Sequence, residues 1–137
     1  MNSAFQSRDV TRQRVVLLVD DDQNHTRTVS KVLSRDGFRV AVAKTASDAR
    51  ALLGVERVDA ILCDLTLPDC SAENFLDFVL RACPTARVVF TCSQFDGRRR
   101  QRLIERGATE CTSLPLDLDQ LKTLLLGHRS PDRLVGD

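Results

Sequence analysis

Two patterns of apolar residues alternate along the chain: short solid blocks, and longer segments in which apolar positions recur every three or four residues. "VVLLV" (15–19) is a solid block, as expected of a strand covered on both faces rather than one half exposed to water. It stops at Asp20, Asp21 and Asp22. From Asp22 to Asp36, Val29, Val32 and Leu33 fall at helical spacing and Gly37 ends the pattern, which predicts a first helix. "FRVAVA" (38–43) predicts a second strand, and Thr45 with Asp48 makes a capping box for a helix to about Gly54. "DAILCD" (59–64) is the third strand, and Ser71 is the N-cap of a helix to about Ala82, closed by Pro84. "ARVVFT" (86–91) is the fourth strand, Asp96 caps an arginine-rich helix ending at Gly107, and "TECTS" (109–113) is a weaker fifth strand. Asp117 with Gln120 opens the last helix, whose Leu118, Leu121, Leu124 and Leu125 form one stripe for core packing.

The order is strand then helix, five times, with crossovers of the length that parallel neighbours require. It predicts one open, doubly wound α/β domain. In such sheets ligands bind beyond the carboxyl ends of the strands, where strand order reverses. Chemistry is therefore to be sought where strands one, three, four and five end.

Composition narrows this picture without changing it. The 137 residues suffice for a single core. Boundaries are expected near 1–13 for an N-terminal extension, 14–127 for the folded domain and 128–137 for a polar tail. Twenty Lys and Arg against 19 Asp and Glu leave a formal charge of +1, so no global field draws the protein to nucleic acid or membrane. No stretch approaches the roughly 18 apolar residues of a membrane span, and "MNSAFQSRDVTRQR" lacks a signal-peptide core, so a cytoplasmic protein is expected. Five cysteines without a CxxC pair, and only two histidines, offer no zinc spacing; free thiols are the expectation.

The strand ends carry the candidate chemistry. Asp20, Asp21 and Asp22 end the first strand, Asp64 the third and Thr91 the fourth, and Leu114 follows the fifth. Acids gathered on one edge raise one another's pKa unless a cation or hydrogen-bond donors compensate. Mg2+ prefers oxygen ligands of this kind, and Asp21 and Asp64 can supply them. A carboxylate beside a bound cation can also attack a phosphoryl group, which makes Asp64 a candidate nucleophile. The plainer use of an acid at a strand end is to cap the next helix, and that is the reading favoured for Asp22.

Taken together, "VVLLVDDD", "DAILCDLTLPDCSA", "ARVVFTCS" and "GATECTSLPLD" resemble, in order and spacing, the receiver domain of two-component response regulators over about residues 14 to 127. The resemblance implies a flavodoxin-like (βα)5 sandwich with strand order 2-1-3-4-5. It implies Asp64 as phospho-acceptor, Asp20 and Asp21 as the acid pair for Mg2+, and the backbone carbonyl of Thr66 in the metal shell. Thr91 matches the switch hydroxyl, and Pro68 the proline of the loop after strand three. Phosphorylation by a sensor histidine kinase or phosphotransfer protein is implied, with a downstream protein partner, and not turnover of a substrate. The surface of helix four, strand five and helix five is implied for docking, including a homodimer as one assembly. A phosphohydrolase of the haloacid-dehalogenase type is disfavoured, because Thr66 stands where a second acid would act.

The departures from the family are as specific. Ala72 replaces a glycine, a mild change. Leu114 stands where the family has a lysine that pairs with the phosphoryl group, and Cys111 where an aromatic ring turns inward on activation. Losing a charge-assisted contact weakens the hold on the phosphorylated geometry without touching the nucleophile. An interaction module that docks independently of phosphorylation is the alternative. Arg98, Arg99, Arg100 and Arg102 are candidates for docking an acidic partner, and the first three for reaching over the acid site; Cys92 and Cys111 are expected neighbours and a candidate redox pair.

Overall fold

In a computed structural model the described residues are 12–126. The polar tail expected at 128–137, and residues 1–11 of the N-terminal extension, lie outside them. Ten elements alternate along the chain: β1 (Val15–Val19), α1 (Gln23–Arg35), β2 (Arg39–Ala43), α2 (Ala46–Leu53), β3 (Ala60–Asp64), α3 (Ala72–Ala82), β4 (Arg87–Cys92), α4 (Gly97–Arg106), β5 (Glu110–Ser113) and α5 (Leu118–Leu126). All strand pairings are parallel, and the sheet order is β2-β1-β3-β4-β5. The order reverses at β1, beside β3, so the crevice of a doubly wound sheet lies above the ends of those two strands. Among the described residues no helix is long and apolar enough to cross a membrane.

The solid apolar blocks arise because each strand is covered twice, and successive residues point to opposite faces. Leu17, Val19, Ile61, Cys63, Val88 and Phe90 join one cluster with Ala49, Leu53, Phe75, Leu76, Val79 and Leu103, from α2, α3 and α4. Val16, Leu18, Ala60, Leu62 and Val89 join the other with Val29, Leu33, Leu121 and Leu125, from α1 and α5. Phe75 and Phe90 are completely buried, each worth roughly 1.5–3 kcal/mol relative to an exposed ring. The leucine stripe of α5 packs as expected, with Leu121 and Leu125 buried and Leu118 and Leu124 partly so.

The helix starts follow the sequence signals. The side chains of Asp22, Thr45, Ser71 and Asp96 each accept backbone N–H groups in the first turn of the helix that follows. Asp117 does the same for α5 through the N–H groups of Asp119 and Gln120. At Gly107, which ends α4, φ is +125° and a Cβ would lie 2.7 Å from Leu80 Cδ1. Any side chain there meets both backbone strain and α3, so this glycine sets how closely α4 turns back into β5.

Candidate functional site

The site is assembled where β1, β3 and β4 end. Asp20 continues the β1 ladder by donating its N–H to the Ala43 carbonyl at 3.0 Å. Its carboxylate is only 8% exposed as a residue, and both oxygens are held: Oδ1 accepts the Asp22 N–H at 2.9 Å and Oδ2 lies 3.0 Å from His25 Nδ1. Asp22 faces away to cap α1, accepting from Asn24 N–H at 3.0 Å and His25 N–H at 3.2 Å, so its capping role holds. Asp64 ends β3 in register with Thr91 of β4, and its Oδ1 accepts the Thr66 N–H at 3.0 Å. Thr91 is buried, at 2% exposure. A small cavity of about 10 Å³ lies among Asp20, His25, Asp64 and Thr91, with Leu18 and Leu62 as apolar walls.

Ligand oxygens of Asp20, Asp21 and Asp64 lie within 4.8 Å of one another. Burial, together with the negative charges of Asp20 and Asp21, raises the Asp64 carboxyl above its ordinary value; the Thr66 N–H and the charge of His25 oppose the rise. The donor set fits a hard cation: three carboxylates, all oxygen, crowded enough to repel. The sequence-predicted acids Asp20, Asp21 and Asp64 are thus brought together, with Thr66 exposed on the adjoining loop.

The positions expected to read out the site look different. Leu114 is 37% exposed and brings no charge; its N–H donates to the Cys92 carbonyl at 2.9 Å, and its peptide bond to Pro115 is cis. Its side chain lines a groove of about 550 Å³ with Pro115, Leu116, Leu118 and His25, next to the acid cavity. Cys111 is buried in the core at 3% exposure, and burial together with Cys92 pushes its thiol up to about 11. The two cysteines are neighbours as expected, but a thiol so seldom ionised is a poor nucleophile, and all five cysteines are free. The raised Cys111 pKa disfavours thiolate chemistry at this pair in the reduced protein.

Two of the arginines of α4 proposed to reach over the site are paired with other acids instead. Arg99 makes two bonds to Glu73 of α3, at 3.0 and 3.1 Å, and Arg100 two bonds to Glu110 of β5, at 2.7 and 3.0 Å. Burial alone would raise the Glu110 carboxyl; Arg100 and the Cys111 N–H outweigh it and hold it below its ordinary value. Hence Arg98 and Arg102 are the exposed members of the docking set, while Arg99 and Arg100 fasten α4 to its neighbours.

Two residues are absent from the sequence reading. His25 is the third residue of α1 after the Asp22 cap, and that spacing turns it back toward the strand end. Asp69, on the loop after β3, accepts the N–H groups of Ala46 and Ser47 at 2.9 and 3.0 Å, tying the loop to the start of α2; those bonds hold its carboxyl low. The Thr45–Asp48 pattern located that helix start but gave no signal that an acid 23 residues after Ala46 would share it.

The model of the response regulator receiver domain matches residues 16–126. The chain belongs to that family. Similar proteins include the sensor histidine kinase RcsC of Salmonella typhi, 26% identical over 129 residues, and the transcriptional regulator NtrC of a Bradyrhizobium strain, 30% identical over 110 residues. These matches cover 91% and 80% of this chain, but only 14% and 23% of RcsC and NtrC. The chain therefore spans only a small part of the length of these relatives. Among solved structures, the HemR receiver domain of Leptospira biflexa is similar at TM-score 0.76 and 27% identity, covering 87% of this chain and 98% of that one. A Burkholderia pseudomallei response regulator, solved with a phosphorylated aspartic acid, a calcium ion and citrate, shares the fold at TM-score 0.78 and 20% identity, over 90% of this chain and 71% of that one. The receiver fold with strand order 2-1-3-4-5, expected from the sequence, is therefore established. Within this receiver domain Asp64, Asp20, Asp21 and Thr91 occupy the acid pocket, whereas Leu114 and Cys111 lie outside its polar lining.

Proposed function

We propose that this receiver domain accepts a phosphoryl group on Asp64 and communicates the change weakly, by protein–protein contact. The observation that carries it is the convergence of Asp20, Asp21 and Asp64 with buried Thr91 at the end of β4, beside an uncharged Leu114. An Asp64 carboxylate oxygen attacks phosphorus of a phosphohistidine on a sensor histidine kinase or phosphotransfer protein. The O–P bond forms as the P–N bond breaks, and the imidazole leaves with a proton. Asp20, Asp21, Asp64 and the Thr66 carbonyl would hold Mg2+. When bound, that cation neutralises charge on the carboxylates and the incoming phosphoryl oxygens.

The chain's own residues do the rest. The Thr66 N–H orients the nucleophile by occupying one Asp64 oxygen, leaving the other for attack. The walls formed by Leu18 and Leu62 limit water around it. Thr91, in register with Asp64, is placed to turn its hydroxyl to the new phosphoryl group. Without a lysine at position 114, the phosphoryl group favours the switched state by one charge-assisted contact fewer, so the population shift is smaller. Signalling is then protein–protein, in the cytoplasm, through α4, β5 and α5, with Arg98 and Arg102 offering exposed positive charge and a second copy as one occupant. The domain turns over no substrate of its own.

Acetyl phosphate with Mg2+, followed by intact mass and peptide mapping, tests this. One phosphoryl group on Asp64, dependent on Mg2+, is expected; no adduct at saturating Mg2+ contradicts the reading.

A further inference from the structure

His25 is the polar group of the pocket that phospho-acceptor chemistry leaves unused. Its side chain is about a quarter exposed, and Nδ1 lies 3.0 Å from Asp20 Oδ2. An ionised carboxylate only accepts, so Nδ1 carries the proton and donates. The second Asp20 oxygen receives the Asp22 N–H, so the carboxylate is clamped from two sides by neighbours three residues apart on the same turn. Asp20 is the most deeply buried of the three acids. A buried carboxylate that must present a lone pair to a cation loses affinity when its orienting partner goes. The same ring borders the groove of Leu114 and Pro115, so it stands where the acid pocket gives way to the uncharged readout position.

We propose that His25 is a positioning residue for the cation: its Nδ1–H fixes the Asp20 carboxylate in the orientation that binds Mg2+. The inference rests on the phospho-acceptor reading of the site. It concerns hydrogen bonding to Asp20, with no contact between His25 and the phosphoryl group.

Titration of the full chain with MgCl2 by calorimetry tests it, with the substitutions His25→Leu and His25→Asn and thermal melts as a control for folding. Asparagine carries an amide nitrogen on Cγ, where histidine carries Nδ1, so it can renew the bond; leucine cannot. His25→Leu is expected to weaken Mg2+ binding about tenfold, the lower end for loss of an orienting partner, and His25→Asn to recover most of it. Labelling of His25→Leu by acetyl phosphate should be slow at low Mg2+ and return to the wild-type rate when Mg2+ saturates. Wild-type Mg2+ affinity in His25→Leu, equal losses in both variants, or labelling that stays slow at saturating Mg2+ overturns the inference alone. A wild-type chain that binds no Mg2+ overturns the reading of the site and the inference with it.

Discussion

At the ends of β1 and β3, three carboxylates crowd together with one partly exposed imidazole beside them, while Glu73 and Asp77 of α3 and Glu110 of β5 each pair with an arginine of α4. Glu73, Asp77 and Glu110 are held below their ordinary pKa by Arg99, Arg106 and Arg100, whereas burial, Asp20 and Asp21 drive Asp64 above its own. Both regions belong to one chain of nearly balanced charge. Positive charge is thus plentiful, yet it is spent on docking α4 and withheld from the acid pocket. Three crowded carboxylates with a single imidazole beside them fit a cation that arrives from outside. Cys111 lies on β5 and Leu114 on the loop that follows it, lining the groove that His25 also borders.

The largest effect is expected at the nucleophile. Asp64→Ala should abolish Mg2+-dependent labelling, read by intact mass, while the melting transition shows the fold retained. Residual labelling at full wild-type extent would move the acceptor to another acid and dissolve the contrast.

Next is the buried switch position. Cys111 is buried at 3% exposure in the cluster that holds Phe90 and Leu103. Restoring a ring there by Cys111→Tyr should cost about 1–3 kcal/mol, the scale of overpacking, in chemical denaturation. A neutral outcome would mean the ring escapes outward, and that the readout edge is looser than the packing shows.

The acid pocket should also oppose folding. Because the folded-state pKa of Asp64 is raised from its ordinary value of 3.8, stability is lost as pH rises through the folded pKa, and none is lost below 3.8. Asp64→Asn should therefore stabilise the Mg2+-free protein at neutral pH by roughly 1 kcal/mol, the repulsion of two unit charges about 4 Å apart in water. The gain should vanish in acid and shrink with salt.

The α4 edge has the opposite sign and the smallest effect. Glu110 is depressed below its ordinary 4.5, so its contribution is present above that pH and lost as pH falls through the folded pKa. Glu110→Gln should slightly lower neutral-pH stability and remove that part of the acid-side loss, both seen in melts across pH.

The architecture was legible because strand blocks, caps and stop signals agree along the chain. Element ends fall within about two residues of those read from the sequence, and even the short β5 lies where "TECTS" placed it. The acid set was legible for the same reason, since each acid lies at or just past the end of a strand that the apolar blocks define. What stayed hidden depends on side chains that meet across the fold. Nothing in the local pattern of "DDDQNH" distinguishes His25 from an ordinary exposed helix residue until its ring is seen to meet Asp20. Likewise, the arginines of α4 read as docking an acidic partner or as reaching over the site, and only the packing of α3 and β5 shows that Glu73 and Glu110 take two of them.

The central claim is that accepting a phosphoryl group and reading it out are separable here, with the separation at position 114. The direct test is NMR of Thr91 with and without beryllofluoride and Mg2+, in the wild-type chain and in Leu114→Lys, with acetyl phosphate labelling measured on both. Equal labelling, with a larger displacement of the Thr91 resonances in Leu114→Lys, is the predicted result. Identical Thr91 displacement in the two proteins, or labelling that depends on the introduced lysine, would contradict it.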